Sequence, residues 1–211
     1  MESVHIAEKP KSQAAVLPDA SSDIDTTEYI IKLKGVTKTY LLGLEGVPAL
    51  RGVDLNVAPG EVVMFVGKSG SGKSSLLNVI GTIDTPTRGE VSIAGTHITS
   101  STSDSELARI RRTVVSFIFQ AFNLIPGLTA EENVSLPLTL SRWGGNPRQR
   151  ARALLRAVGL KDRMGHTAAQ MSGGEQQRVT ICRALATGPS LLVCEQATCM
   201  GLRAVPYPVL L

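Results

Sequence analysis

The sequence predicts an α/β fold, with a parallel sheet flanked by an antiparallel β subdomain and a small helical subdomain. The apolar run Val62 to Val66 leads directly into a glycine-rich loop and a helical segment, the order found in parallel sheets. Segments that alternate apolar and polar residues lie on both sides of it, and capped helical patterns follow. The 211 residues, 43% of them hydrophobic, suffice for one core and a small appended lobe.

The glycine-rich loop is the strongest functional signal. Gly67 to Ser75 spells GKSGSGKSS and matches G-x-x-x-x-G-K-[ST], between a strand predicted to be buried on both faces and a helix that ends at Gly81. Glycines let successive amides point at an anion, and the helix that begins there adds its positive end. We expect the Lys73 ammonium to reach the β- and γ-phosphates of a nucleotide and the Ser74 hydroxyl to bind Mg²⁺.

Three segments around this loop have the period of two that half-buried strands show. Their apolar positions are Ile31 and Leu33, then Val53, Leu55 and Val57, then Val91 and Ile93. We expect them to form an antiparallel sheet beside the loop. Tyr40 ends the first segment, where stacking on a purine ring and ordinary packing are both open to a lone tyrosine.

Four helices are predicted downstream from their N-terminal capping residues. These N-caps are Ser103, Thr129, Asn146 and Ser172. We expect the arginines of the third helix to form a solvated face; they are Arg148, Arg150, Arg152 and Arg156.

Two polar features among these helices lie where ligands often bind. Gln120 follows the predicted strand Val114 to Phe119, at the carboxyl end where α/β sheets bind ligands. Ser172, Gly173 and Gly174 place a hydroxyl and uncovered amides at a helix N-terminus, which favours a second anion site. A capped helix start with no ligand is the alternative for these three residues.

Composition excludes several classes of protein. The net charge is +4 with both signs interleaved, and 4% of the residues are aromatic, which disfavours nucleic-acid binding. No apolar run approaches the roughly 18 residues of a membrane-spanning helix. The cysteines form no C-x-x-C pair, and we expect them to be small buried side chains in a reducing compartment; they are Cys182, Cys194 and Cys199.

Together these motifs resemble the nucleotide-binding domain of ABC transporters, which has a P-loop NTPase core. Gly67 to Ser74 corresponds to the Walker A loop, Tyr40 to the adenine-stacking aromatic residue, and Gln120 to the Q-loop glutamine. Ser172 to Gln176 corresponds to the family signature SGGEQ. The run from Phe117 to Leu138 is similar to the ATPases of the lipoprotein-releasing and macrolide-export subfamily.

The resemblance implies ATP and Mg²⁺ as cofactors and a head-to-tail dimer, homo- or heteromeric, in which the signature of one copy covers the nucleotide of the other. The implied nucleotide-binding residues are Tyr40, Gly67, Lys68, Ser69, Gly70, Ser71, Gly72, Lys73, Ser74, Ser75, Gln120, Ser172, Gly173, Gly174 and Gln176. It also implies separate membrane-spanning subunits, contacted through residues 120–140, and a cytoplasmic location at the face of a membrane. Nucleic acid is not an expected partner.

The sequence departs from the family at the Walker B motif. An ungapped alignment places Glu195 where an Asp organises Mg²⁺ and Gln196 where a Glu polarises the attacking water. Lys73 and this degenerate position, Gln196, are the catalytic candidates, and the metal ligands are Ser74, Gln120 and Glu195. Because an amide accepts no proton as a base, we expect weakened hydrolysis. A register shifted by one, with Cys194 and Glu195 on the acidic positions, misplaces Pro189 and Thr198.

The sequence divides into a predicted disordered leader, residues 1–28, an ATP-binding domain, residues 29–198, and an atypical tail, residues 199–211. The tail lacks the family's next core strand and switch histidine, so we expect an uncovered sheet edge and a truncated or altered C-terminus. Pro206 and Pro208 argue against a strand within Val205 to Leu211.

The function expected is that of a transporter ATP-binding subunit for export or lipoprotein release. The alternative is a non-catalytic ATP-binding partner in a heterodimer with an active ATPase. A soluble ABC protein of DNA repair or translation is disfavoured because no long coiled-coil insertion is present.

Overall fold

The computed structural model describes residues 5–6, 29–43, 45–195 and 209–210. The strands are β1 (His5–Ile6), β2 (Ile31–Leu42), β3 (Glu45–Val57), β4 (Val62–Val63), β5 (Phe65–Val66), β6 (Arg88–Ile93), β7 (Thr96–Ile98), β8 (Val115–Ile118), β9 (Leu191–Cys194) and β10 (Val209–Leu210). The α-helices are α1 (Lys73–Ile80), α2 (Asp104–Thr113), α3 (Ala130–Leu140), α4 (Pro147–Ala157) and α5 (Gly173–Leu185). Short 3₁₀ turns span Lys161–Arg163 and Ala168–Gln170.

The antiparallel subdomain is the sheet β3-β2-β6-β7. Its predicted alternation is confirmed at every apolar position except Val53, which is only partly buried. The buried positions are Ile31, Leu33, Leu55, Val57, Val91 and Ile93. These side chains share one core with α1, with α2 and with buried residues of β4, β5 and β9. The subdomain therefore packs directly against the elements that carry the glycine-rich loop.

The parallel sheet has the order β4-β10-β9-β8. All four residues of β9 are buried, as a central strand requires. The predicted strand from Val62 to Val66 is instead divided into β4 and β5, and the expectation that it is buried on both faces is wrong. Val62 is 62% exposed and Val66 is 41% exposed. These two side chains are exposed because the strands that carry them are paired only briefly: β4 pairs with β10 and β5 with β1, each over two residues only.

The C-terminal tail contains a strand, contrary to the prediction from the sequence. The sequence predicts no strand within Val205 to Leu211 and an uncovered sheet edge, but Val209–Leu210 pairs in parallel with both β4 and β9. The two prolines precede this strand and therefore do not remove its amides. The position is internal to the sheet. Residues 196–208 and most of the predicted leader lie outside the described residues, so the proposed domain division remains a prediction.

The helical subdomain is formed by α3, α4 and one face of α5, which enclose a separate apolar cluster around Val134, Leu138 and Leu155. On another face of α5, Ala184 packs with β8 and β9. Three of the four arginines of α4 are exposed as predicted, whereas Arg150 is partly buried. In the part of the chain that the structure describes, no helix is both long and apolar enough to cross a bilayer.

Candidate functional site

The glycine-rich loop has a backbone that only glycine can supply at its end. Gly70 and Gly72 have φ angles of 80° and 93°, in the left-handed region. A Cβ atom at Gly72 would also lie 2.5 Å from the carbonyl oxygen of Ala49 in β3. Helix α1 begins at the next residue without a side-chain cap at Gly72, so its first amides face the loop.

Lys73 lies across this loop. Its ammonium donates to the carbonyl oxygens of Gly67, at 2.7 Å, and Lys68, at 2.8 Å, and is 3.5 Å from the Ser71 hydroxyl. The positive charge is thus held beside the amides of the loop and the N-terminus of α1. Ser69 and Ser74 are exposed next to it. This combination of amides, one ammonium and hydroxyl groups is suited to a polyphosphate and its counterion.

Tyr40 lies near the same loop. Its hydroxyl interacts with the side chains of Ser75 in α1 and Asp84, and its ring is 5.0 Å from the Lys38 ammonium. Partial burial raises the pKa of Tyr40, and Asp84 acts in the same direction, so the hydroxyl stays protonated. The structure therefore places Tyr40, the predicted stacking residue, beside the glycine-rich loop. The role of Tyr40 in binding remains a prediction.

Gln120 and Glu195 lie at the carboxyl edge of the parallel sheet. Ile118 is paired with Cys194 across β8 and β9, and the amide of Glu195 donates to the carbonyl oxygen of Ile118 at 3.0 Å. Gln120 is exposed two residues after that strand end. Strand β4, which precedes β5 and the glycine-rich loop, runs parallel to β10 and β9, so its carboxyl end points to the same edge of the sheet.

Helix α5 fixes the segment that follows Gln120, which the sequence did not indicate. The Thr180 hydroxyl donates to the carbonyl oxygen of Phe122 at 3.1 Å. The Arg183 guanidinium donates to the same oxygen at 3.0 Å and to the carbonyl oxygen of Asn123 at 2.6 Å. Burial lowers the pKa of Arg183 from its ordinary value. Contacts between residues about 60 positions apart carry no local sequence signal.

The predicted signature begins α5 as a complete capping box. The Ser172 hydroxyl accepts from the Glu175 amide, and the Glu175 carboxylate accepts from the Ser172 amide at 2.8 Å and from its hydroxyl at 2.9 Å. Ser172, Gly173 and Gly174 are exposed. The Gln176 side chain instead donates to the carbonyl oxygens of Ala168 and Met171, so it braces the turn before the helix.

Arg163, which precedes the signature in sequence, forms an ion pair with Glu175 of the signature. Its Nε donates to Glu175 Oε1 at 3.1 Å, while the other carboxylate oxygen holds Ser172. The amide and hydroxyl of Ser172 lower the pKa of Glu175, and the Arg163 charge adds to this effect. The carboxylate is thus ionised at neutral pH and connects Arg163 to Ser172.

The predicted Mg²⁺ ligands offer the right kind of donor. Ser74, Gln120 and Glu195 provide a hydroxyl, an amide and a carboxylate oxygen, and Mg²⁺ prefers oxygen ligands. Among the described residues no group of three or more His, Cys, Asp or Glu could hold a metal ion. The assignment of these three residues as Mg²⁺ ligands remains a prediction. Gln196 lies outside the described residues.

Two cysteines are buried as predicted. Cys182 is 1% exposed and Cys194 is fully buried, and neither is disulfide-bonded. Burial raises the pKa of the Cys182 thiol to about 12, which keeps it protonated and unreactive. Cys199 lies outside the described residues.

Comparisons with known proteins agree with this geometry. A family model described as ABC transporter matches residues 50–199. The lipoprotein-releasing system ATP-binding protein LolD of Ruegeria pomeroyi is 49% identical over 174 residues, which cover 82% of this chain and 76% of LolD. The macrolide export ATP-binding/permease protein MacB of Marinobacter nauticus is 43% identical over 170 residues, 80% of this chain but only 26% of MacB.

A solved structure extends the comparison to three dimensions. It is described as a dimeric, post-hydrolysis state of the ATP-binding cassette MJ0796 bound to ADP and Pi, and MJ0796 comes from Methanocaldococcus jannaschii. The TM-score is 0.70 at 47% sequence identity, with coverage of 78% of this chain and 72% of the other. The family resemblance, its subfamily and the predicted fold class are thereby confirmed.

Proposed function

Because the chain belongs to the ABC transporter family, we propose that it is an ATP-binding subunit that couples ATP binding and slow hydrolysis to export or lipoprotein release through separate membrane subunits. LolD is named for lipoprotein release and MacB for macrolide export, and both are similar to this chain over most of its length. The transported substrate is set largely by the membrane partners and is not assigned.

The observation that carries this proposal is the loop from Gly67 to Ser75. Its ammonium already lies among backbone amides and hydroxyl groups, donating to two loop carbonyl oxygens. A triphosphate offers the same ammonium charged acceptors, which form stronger hydrogen bonds than neutral carbonyls do. ATP binding therefore exchanges weak internal contacts of Lys73 for stronger ones to phosphate.

Magnesium completes the site in this proposal. Ser74, Gln120 and Glu195 are the residues that would hold it, and when bound it neutralises phosphate charge. Glu195 extends the carboxylate by one methylene relative to the family's Asp.

Turnover is proposed to be slow because of Gln196. Its amide orients a water molecule but cannot take its proton, and a general base usually contributes about 10²- to 10⁴-fold in rate. The second candidate function is that of a non-catalytic ATP-binding subunit paired with an active ATPase. The only observation that favours it is Gln196 at the position of the catalytic Glu. Gln196→Glu distinguishes the two. A rise in phosphate release of at least about tenfold supports a degenerate ATPase, and no rise supports the non-catalytic role.

The proposed assembly is a head-to-tail dimer. Ser172, Gly173 and Gly174 are exposed at the start of α5, and with Gln176 nearby they would cover the γ-phosphate bound to a second copy. The related ATP-binding cassette was solved as a dimer with ADP and phosphate. Membrane subunits would contact residues 120–140, which would place the chain at the cytoplasmic face of a membrane.

Equilibrium dialysis with labelled Mg-ATP tests the nucleotide site. We expect Lys73→Ala to abolish retention, because the variant removes the ammonium that donates into the loop. Lys161→Ala, at an exposed position in the helical subdomain, is the matched control and should retain Mg-ATP. Unchanged retention by Lys73→Ala would contradict the proposal.

A further inference from the structure

Lys38 and Asp84 form a partly buried ion pair beside the Tyr40 ring. The Lys38 ammonium is 2.5 Å from Asp84 Oδ1 and also donates to the carbonyl oxygen of Thr85 at 2.8 Å. The side chains of the pair are only 12% and 28% exposed. Lys38 is thus fixed by two acceptors, and its charge lies 5.0 Å from the centroid of the tyrosine ring.

The same pair connects Tyr40 to the glycine-rich loop. Asp84 follows α1, and it interacts with the Tyr40 hydroxyl, as does Ser75 within α1. The Thr85 amide donates to Asp84 Oδ1 at 2.8 Å and fixes the carboxylate. Tyr40 is therefore held at its ring by a cation and at its hydroxyl by two side chains of the helix region that carries the loop.

Stability of the ion pair alone does not account for the contacts that both of its members also make with Tyr40. The three contacts instead have a common geometric effect, which is to fix the distance and tilt of one aromatic ring relative to Lys73. A nucleotide needs this distance to be fixed, since its base and its phosphates are joined by a ribose of set length.

We propose that Lys38 and Asp84 are positioning residues of a base subsite, which hold the Tyr40 ring so that the purine of ATP stacks on it while the triphosphate occupies the loop. The inference rests on the proposed function. Neither residue touches the nucleotide; both act through Tyr40. The ammonium also draws electron density from the ring, which favours stacking on an electron-rich purine.

The test compares Mg-ATP with Mg-tripolyphosphate, which has the phosphates but no base. Dissociation constants for both are measured by calorimetry in wild type, Tyr40→Ala, Lys38→Met and Asp84→Asn. Base stacking on an aromatic side chain contributes on the order of 5- to 150-fold in affinity. We expect wild type to prefer Mg-ATP by such a factor and the three variants to lose most of this preference, with tripolyphosphate affinity unchanged within about twofold.

Three further variants separate positioning from folding. The double variant Lys38→Met with Tyr40→Ala should bind Mg-ATP no more weakly than Tyr40→Ala alone, because Lys38 acts only through the ring. Lys34→Met, at an exposed position on the same strand, should behave as wild type. Lys38→Arg keeps the charge and should restore part of the preference that Lys38→Met loses.

The outcomes are distinguishable. Equal losses of ATP and tripolyphosphate affinity in Lys38→Met would show a general structural role and overturn the inference. Additive losses in the double variant would overturn it as well. If wild type binds the two ligands equally, the base subsite is absent while the phosphate site of the proposed function stands. If wild type binds neither ligand, both proposals fail.

Discussion

Gly72 is the position at which the loop is most sensitive to a single methyl group. In Gly72→Ala, the new Cβ would lie 2.5 Å from the Ala49 carbonyl oxygen, about 0.9 Å short of the 3.4 Å at which ordinary contact begins. The φ of 93° adds the strain of a left-handed residue, about 1–2 kcal/mol. Forcing β3 away from the loop adds about 1–3 kcal/mol. We expect a total loss of about 2–5 kcal/mol in the free energy of unfolding.

The matched control is Gly95→Ala in the turn between β6 and β7. Gly95 has a similar φ of 76°, but nothing lies within 4 Å of the point that its new methyl carbon would occupy. Gly95→Ala should therefore lower the free energy of unfolding only by the backbone strain, about 1–2 kcal/mol, and keep its Mg-ATP affinity. Gly72→Ala should lose at least about tenfold in Mg-ATP affinity, because Lys73 moves with its neighbour. Urea unfolding and equilibrium dialysis measure the two quantities. Equal stability losses, with Mg-ATP retained by both variants, would refute the reasoning.

Three other predictions concern side chains around the site. Arg163→Met should change the free energy of unfolding by less than about 1 kcal/mol, as expected of an exposed ion pair, yet weaken dimer formation in Mg-ATP, measured by sedimentation. The control is Arg152→Met, which breaks the 2.7 Å ion pair between Arg152 and Glu131. This pair does not involve the signature, so the control should form the dimer as wild type does. Partial burial acts to raise the pKa of Asp84, but its hydrogen bonds, led by Lys38, outweigh burial and lower it. The stability lost in Asp84→Asn should therefore be full above about pH 5 and shrink as the pH falls below about 4; a difference of unchanged size between pH 5 and pH 3 would contradict this. Alkylation at pH 8, mapped by mass spectrometry, should leave Cys182 unmodified in the folded chain and modify it in urea, because its pKa is about 12.

Local patterns in the sequence were sufficient for the elements that build the site. The capping boxes at Thr129 and Ser172 are present as predicted because each depends on residues three positions apart. The loop and its helix follow from the same short-range logic, with α1 starting at Lys73 and closed at Gly81.

Contacts distant in sequence could not be predicted in this way. The pairing of Val209–Leu210 with two strands depends on the space between β4 and β9 in the folded sheet, and the prolines that precede this strand argued against it in the sequence. The ion pair between Lys38 and Asp84 spans 46 positions, and Arg183 reaches Asn123 across 60. Such partners become visible only when the sheet and helices are assembled.

Helix α5 connects two segments of the chain that are predicted to contact nucleotide. Its N-cap Ser172 is exposed, and 8 to 11 residues later Thr180 and Arg183 donate to the backbone just after Gln120. At about 1.5 Å per residue, these two positions lie roughly 16 Å apart along the helix axis. In the proposed dimer, α5 would therefore connect the surface that meets the second copy to the backbone beside Gln120.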